Sequence, residues 1–234
     1  MHELAAARTW ADEGTALFLA ALARTGDDAL AGPTALPGWT GAHLVAHVAG
    51  NAEALLNLAR WAATGQETPM YSSPAQRAAD IEAGARRTPV ELRRWVAESA
   101  ARLAGALDAL TGEQWCRPVR TAQGRPVPAT GIPWLRAREV LVHAVDLDPR
   151  LGFAGLPGAF LLALVDDVVT RRSGGDQPAL VLTADGRRSW EVTGHGDPTA
   201  VHGSLAGVAA YLTGRPGGDV TSPSGAVPDL PPWL

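Results

Sequence analysis

The sequence predicts an α+β protein, with a four-helix bundle over residues 1–150 and a small α+β unit over residues 151–234. Three observations lead there. Long segments before residue 150 repeat apolar residues at helical spacing. Beyond Asp148-Pro149 the pattern changes to the alternation and turn chemistry of a β-hairpin. The 234 residues are 46% hydrophobic and 19% charged, enough for one large core or two small ones.

Each element follows from local chemistry. Residues 3–24 carry Leu4, Ala7, Trp10, Ala11, Leu17, Leu19 and Leu22 at roughly helical spacing, which makes a long amphipathic helix. The Gly- and Pro-punctuated stretch 32–38 ends it. Thr40 then stands as the N-cap of a second helix, striped by Leu44, Val48, Leu55, Leu58 and Trp61 and closed near Gly65. His43, His47 and Asn51 share one of its faces. Residues 67–74 read as an ordered loop. Residues 75–110 are helical in composition but interrupted around Arg87-Thr88-Pro89, which fits two helices or one broken helix. The Pro-rich stretch 113–133 holds a turn at 121–128 between two extended arms, and a helix runs from about 133 to 147. In the second unit a helix over 157–172 precedes strands at 179–183 and 189–193, joined by Asp185-Gly186. An apolar helix at 204–213 and a Gly- and Pro-rich end complete the chain, with no internal repeat.

Composition narrows the partners. A formal net charge of −4 argues against nucleic acid or an anionic membrane, since both reward a basic surface. A small molecule or another protein fits better. No run of about 18 apolar residues is free of charge, so a transmembrane span is not expected. The stretch beginning Met1-His2-Glu3 lacks the basic start and apolar run of a signal peptide, and the single cysteine, Cys116, has no internal disulfide partner. These features point to the cytoplasm. The basic residues are all Arg, which reads as coding composition rather than function.

The chemistry gathers on two helices. Glu139-Val140-Leu141-Val142-His143 sets a carboxylate and an imidazole four residues apart, on one face of a helix. A third donor must come from another element, and the second helix offers His47, with His43 one turn before it. Two His and one Glu match the protein ligands of a catalytic zinc, which keeps a fourth position open. Spacing alone favours the plainer reading, because Glu-x-x-x-His pairs arise by chance and a histidine on an apolar face is more often a hydrogen-bonded core residue. The counterweight is concentration. Three of the six histidines lie on two helices that otherwise bury Leu, Val and Ala, where an unpaired polar group is unfavourable.

Several motifs together resemble the mycothiol-dependent maleylpyruvate isomerase family. They are Gly38-Trp39-Thr40 with His43-Leu44-Val45-Ala46-His47, Arg138-Glu139-Val140-Leu141-Val142-His143-Ala144-Val145-Asp146-Leu147, and Tyr211-Leu212-Thr213-Gly214-Arg215. Glu67-Thr68-Pro69-Met70-Tyr71 and Thr121-Ala122-Gln123-Gly124-Arg125 resemble the isomerases more than the wider superfamily. The resemblance implies a DinB-like bundle followed by a small domain like sterol carrier proteins. It places the metal ligands on His47, Glu139 and His143 and a functional arginine on Arg215. It also implies zinc and mycothiol as cofactors, and the isomerisation of maleylpyruvate to fumarylpyruvate in gentisate degradation, by thiolate addition, bond rotation and elimination.

Other residues carry weaker signals. Arg215 also reads as a cation at a helix C-terminus. Cys116 reads as a structural thiol, with no histidine nearby in sequence. His43 reads equally as support for the site or as a plain surface histidine. Arg125 fits either a carboxylate contact or a solvent-facing turn, and Asp146 either orients an imidazole or caps a helix end. Two rival functions stand beside the isomerase: mycothiol S-transfer to an electrophile, and a non-catalytic metal-containing regulatory or interaction module. Oligomeric state and residues contacting the thiol are not legible.

Overall fold

A computed structural model describes residues 3–215, 219–231 and 233. Residues 216–218 of the Gly- and Pro-rich end lie outside the described residues. The chain divides into two compact units, residues 1–149 and 150–234. Helices with short strands make up both, as an α+β fold requires.

The first unit opens with α1 (Leu4–Arg24) and a short α2 (Asp27–Ala31) that the sequence reading did not anticipate. Next is α3 (Gly41–Thr64), begun by Thr40, whose side chain accepts from the His43 amide. Gly65 ends it at φ +77°, a left-handed conformation natural to glycine. The interrupted stretch resolves into two helices, α4 (Pro74–Ala85) and α5 (Pro89–Asp108). Ser73 caps the first and a Thr88/Glu91 capping box starts the second, each with proline in the first turn. A one-turn α6 (Gly112–Trp115), also unanticipated, leads to the hairpin of β1 (Pro118–Arg120) and β2 (Pro126–Pro128), with Val119 opposite Val127. Then comes α7 (Ile132–Leu147).

Helices α1, α3, α5 and α7 form the bundle, and α4 lies against α3. Its core holds Leu55, Leu58, Leu103, Leu107, Ile132 and Leu135. Helices α1 and α7 approach so closely that a Cβ on Gly14 would stand 2.6 Å from Val140 Cγ2 and 2.7 Å from Leu141 Cγ. Only glycine permits this seat for the turn of α7 that carries Glu139 and His143. Arg136 ties α7 to α3 from within. It is 2% exposed and its Nη1 donates to the Val48 carbonyl at 2.8 Å and to Asn51 Oδ1 at 3.0 Å.

The second unit contains α8 (Gly158–Arg172), β3 (Pro178–Ala184), β4 (Arg188–Val192), β5 (His195–Gly203) and α9 (Leu205–Leu212). The expected hairpin is β3 and β4, turned through Asp185 at φ +51° and Gly186 at φ +62°. The sequence reading missed β5, which pairs parallel to β3 on its other side to give the order β4-β3-β5. Its residues are mostly exposed, with Val201 buried, so no alternation marks it. Phe160, Leu164, Val168, Leu180, Leu182, Val201, Val208 and Leu212 form the core. Among the described residues, no helix is long and apolar enough to cross a membrane.

Candidate metal centre

Helices α3 and α7 bring His47, Glu139 and His143 together. One donor atom from each lies within 4.8 Å of the others. Glu139 Oε2 is the focus, 2.9 Å from His47 Nε2 and 3.4 Å from His143 Nε2. A tetrahedral zinc with bonds near 2.0–2.2 Å holds its ligand atoms roughly 3.3–3.6 Å apart. The His143–Glu139 pair at 3.4 Å matches that span, the His47–Glu139 pair at 2.9 Å is a direct hydrogen bond that would open by a few tenths of an ångström, and two imidazoles with one carboxylate are the donor types such an ion takes. The imidazole rings of His47 and His143 meet edge to face at 5.0 Å, and the Trp39 ring stands 5.3 Å from that of His47. Both histidines are almost fully buried.

The electrostatics follow from burial and from the close pairing. Burial alone would raise the Glu139 carboxyl, but hydrogen bonds to His143 and His47, and their charges, hold it well below the usual carboxylate range. Burial lowers His47, and its bond to Glu139 only partly offsets that, so His47 favours the neutral form. His143 is pushed up: burial opposes its charge, yet Asp146 and Glu139 together outweigh the burial. Arg136 is drawn down to about 10 by burial, against the pull of Glu139, and stays a cation at neutral pH.

The surroundings settle several open readings. Asp146 is buried and its Oδ2 accepts from His143 Nδ1 at 2.7 Å, so it orients this imidazole and leaves Nε2 facing Glu139. His43 belongs to the helix start: its Nδ1 lies 2.7 Å from Thr40 Oγ1 and accepts from the Thr40 amide at 3.3 Å, with Glu82 3.4 Å from its Nε2. Arg125 is exposed at its turn. Cys116 is exposed at the end of α6 with Sγ 3.6 Å from the Gly112 carbonyl. Arg215 belongs to the second unit, just past α9. There its Nη1 donates to the Thr213 carbonyl at 2.7 Å and its amide to the Ala210 carbonyl at 2.9 Å.

Two residues escaped the sequence reading. Arg77 on α4 places Nη2 3.3 Å from His47 Nδ1, and its guanidinium lies 5.8 Å from the centre of the Tyr71 ring. Burial raises the Tyr71 phenol, against the pull of Arg77. Neither position has a motif of its own. The one available signal for Tyr71 was its place in the 67–71 stretch. A cavity of about 530 Å³ opens beside His47, Tyr71 and Arg77, among α3, α4 and α5.

Known proteins give a consistent picture. The profile of the Mycothiol maleylpyruvate isomerase N-terminal domain matches residues 10–148. The crystal structure of a mycothiol-dependent maleylpyruvate isomerase superposes with a TM-score of 0.94 at 39% identity, covering 99% of this chain and 98% of that one. A crystal structure of a histidine-to-alanine mutant of a mycothiol-dependent maleylpyruvate isomerase gives the same TM-score of 0.94 and 39% identity over 99% of this chain and 98% of that one. No curated protein matches the sequence. With a profile spanning more than half its length and solved relatives aligned almost end to end, the chain belongs to the mycothiol maleylpyruvate isomerase family.

Proposed function

We propose that this chain is a cytoplasmic enzyme that converts maleylpyruvate to fumarylpyruvate in gentisate breakdown, with mycothiol as thiol and one divalent metal, zinc by its donor set. The observation that carries this reading is the convergence of His47, Glu139 and His143, in a chain 39% identical over 99% of its length to a mycothiol-dependent maleylpyruvate isomerase. The chemistry that metal and thiol supply together is a thiolate at neutral pH, whose reversible addition turns the C=C bond into a single bond that can rotate.

The chain's own residues prepare that chemistry. Asp146 keeps the proton of His143 on Nδ1, so the Nε2 lone pair faces inward as a ligand. Glu139 adds a buried negative charge that suits a dication. Arg77 is a donor only, so at 3.3 Å from His47 Nδ1 it selects the tautomer in which Nε2–H donates to Glu139. Once Nε2 serves as a ligand, the proton belongs on Nδ1, and Arg77 loses its acceptor there. Its guanidinium is then available for a carboxylate of the substrate, which it can hold bidentately. Arg215 is a second candidate anchor, supported by the family resemblance.

The test is the fate of the thiol. During turnover of maleylpyruvate the total free mycothiol should stay constant while the rate saturates with it. Stoichiometric loss of thiol with growth of an adduct would replace the isomerase reading with S-transfer.

A further inference from the structure

The cavity beside His47 is much larger than a small diacid needs. At about 530 Å³ it falls within the ~300–1,000 Å³ range of pockets that enclose drug-sized ligands. Its floor follows α3 from His47 past Gly50 to Arg60. At 1.5 Å per residue this is a run of roughly 20 Å. Gly50 leaves the floor flat, because a Cβ built there meets no atom within 4 Å.

The lining changes character along that run. Beside His47 stand Tyr71 and Arg77; further along, donors and carboxylates are mixed. Glu53 Oε1 accepts from Trp95 Nε1 at 2.8 Å and from Arg102 at 3.0 Å, which leaves Oε2 without a protein partner among the described residues. Asp80 accepts from Gln76 through Oδ1 at 2.8 Å and likewise keeps Oδ2. Arg60 also lines this end, and its guanidinium makes no hydrogen bond or ion pair to another side chain among the described residues. Free carboxylate oxygens repel a diacid, whereas a hydroxyl donates to them and accepts from a guanidinium. Such a surface suits a neutral polyol.

We infer that this cavity holds the amino-sugar and inositol portion of the thiol, laid along α3 over Gly50, so that its cysteinyl end reaches His47. The inference rests on the mycothiol-dependent reading of the metal centre. Glu53 and Asp80 take hydroxyl protons, Arg60 donates to hydroxyl oxygens, and the small diacid is left to Arg77. Gly50 sets the depth of the channel.

Calorimetric titration with mycothiol and with N-acetylglucosaminyl-inositol, which lacks the thiol but keeps the neutral amide, tests this directly. The zinc-loaded wild type should bind both, and the metal-free protein should still bind N-acetylglucosaminyl-inositol. Gly50→Leu fills the channel and should weaken both ligands at least about tenfold, with zinc content and thermal unfolding unchanged. Glu53→Gln, which leaves the backbone alone, should weaken both by about three- to tenfold, the scale of one ordinary hydrogen bond. Wild-type affinity for both ligands in both variants would overturn the assignment, as would a wild type that binds mycothiol but not N-acetylglucosaminyl-inositol. The two readings separate cleanly. Loss of binding in Gly50→Leu without any maleylpyruvate turnover by the wild type keeps the cavity assignment and removes the isomerase. Turnover by Gly50→Leu at an unchanged KM for mycothiol removes the cavity assignment alone.

Discussion

Asp146 Oδ2 accepts a hydrogen bond from His143 Nδ1 at 2.7 Å, one turn along the same helix, and both groups are buried. This contact fixes the ring so that its other nitrogen faces Glu139. Asp146→Asn keeps an acceptor but removes the charge that raises the basicity of His143. Zinc affinity should fall by about 10–100-fold, the usual effect of losing such a partner, with the helical circular dichroism unchanged. Unaltered affinity in a competitive chelator titration would reduce Asp146 to a packing residue.

Arg77 gives the opposite signature. In Arg77→Gln the guanidinium is gone, and an amide oxygen becomes available to accept Nδ1–H of a metal-bound His47. Zinc affinity should therefore hold or rise. The KM for maleylpyruvate should rise by about tenfold, equivalent to about 1.4 kcal/mol of substrate binding. If zinc binding falls instead, Arg77 supports the metal centre and not the substrate.

Arg215 makes local bonds that a helix cap explains, so its proposed catalytic part needs a substitution that spares the cap. Arg215→Lys keeps the charge and loses the bidentate fork. A substrate anchor predicts a fall in kcat/KM of at least about tenfold, or ~1.4 kcal/mol, with zinc retained. A cap alone predicts near-native turnover.

The second unit carries its own pH dependence. Tyr211 donates to the Pro228 carbonyl at 2.8 Å, and burial pushes its phenol from 10.0 up to about 12, with Arg172 pulling the other way. The folded pKa exceeds the unfolded one. The stabilisation is therefore complete below pH 10 and fades as pH rises towards about 12. Chemical denaturation at several alkaline pH values should show this fall in the wild type and a flatter profile in Tyr211→Phe.

The gathering of His47, Glu139 and His143 was legible because its signals are local. Glu139 and His143 share a helix face at four-residue spacing, and Thr40 and Gly65 mark both ends of the helix that carries His47. His43 could not be sorted from sequence, since its role depends on a Thr40 side chain three residues away turning back to meet it. Arg77 was invisible for a different reason: its meeting with His47 is made by packing α4 on α3, thirty residues apart in sequence. The strand His195–Gly203 was missed because its order comes from pairing with β3, while Asp197, Pro198 and Thr199 carry no strand periodicity of their own.

The central claim, that one metal held by His47, Glu139 and His143 is required for thiol-dependent isomerisation, is tested by titrating zinc into metal-free protein. Maleylpyruvate turnover at saturating mycothiol should climb linearly and break at about one equivalent, as expected for a single site. His47→Ala and His143→Ala should lose most of both the bound zinc and the turnover while the bundle stays folded. Full turnover in the metal-free protein, or native zinc content in both variants, would contradict the account.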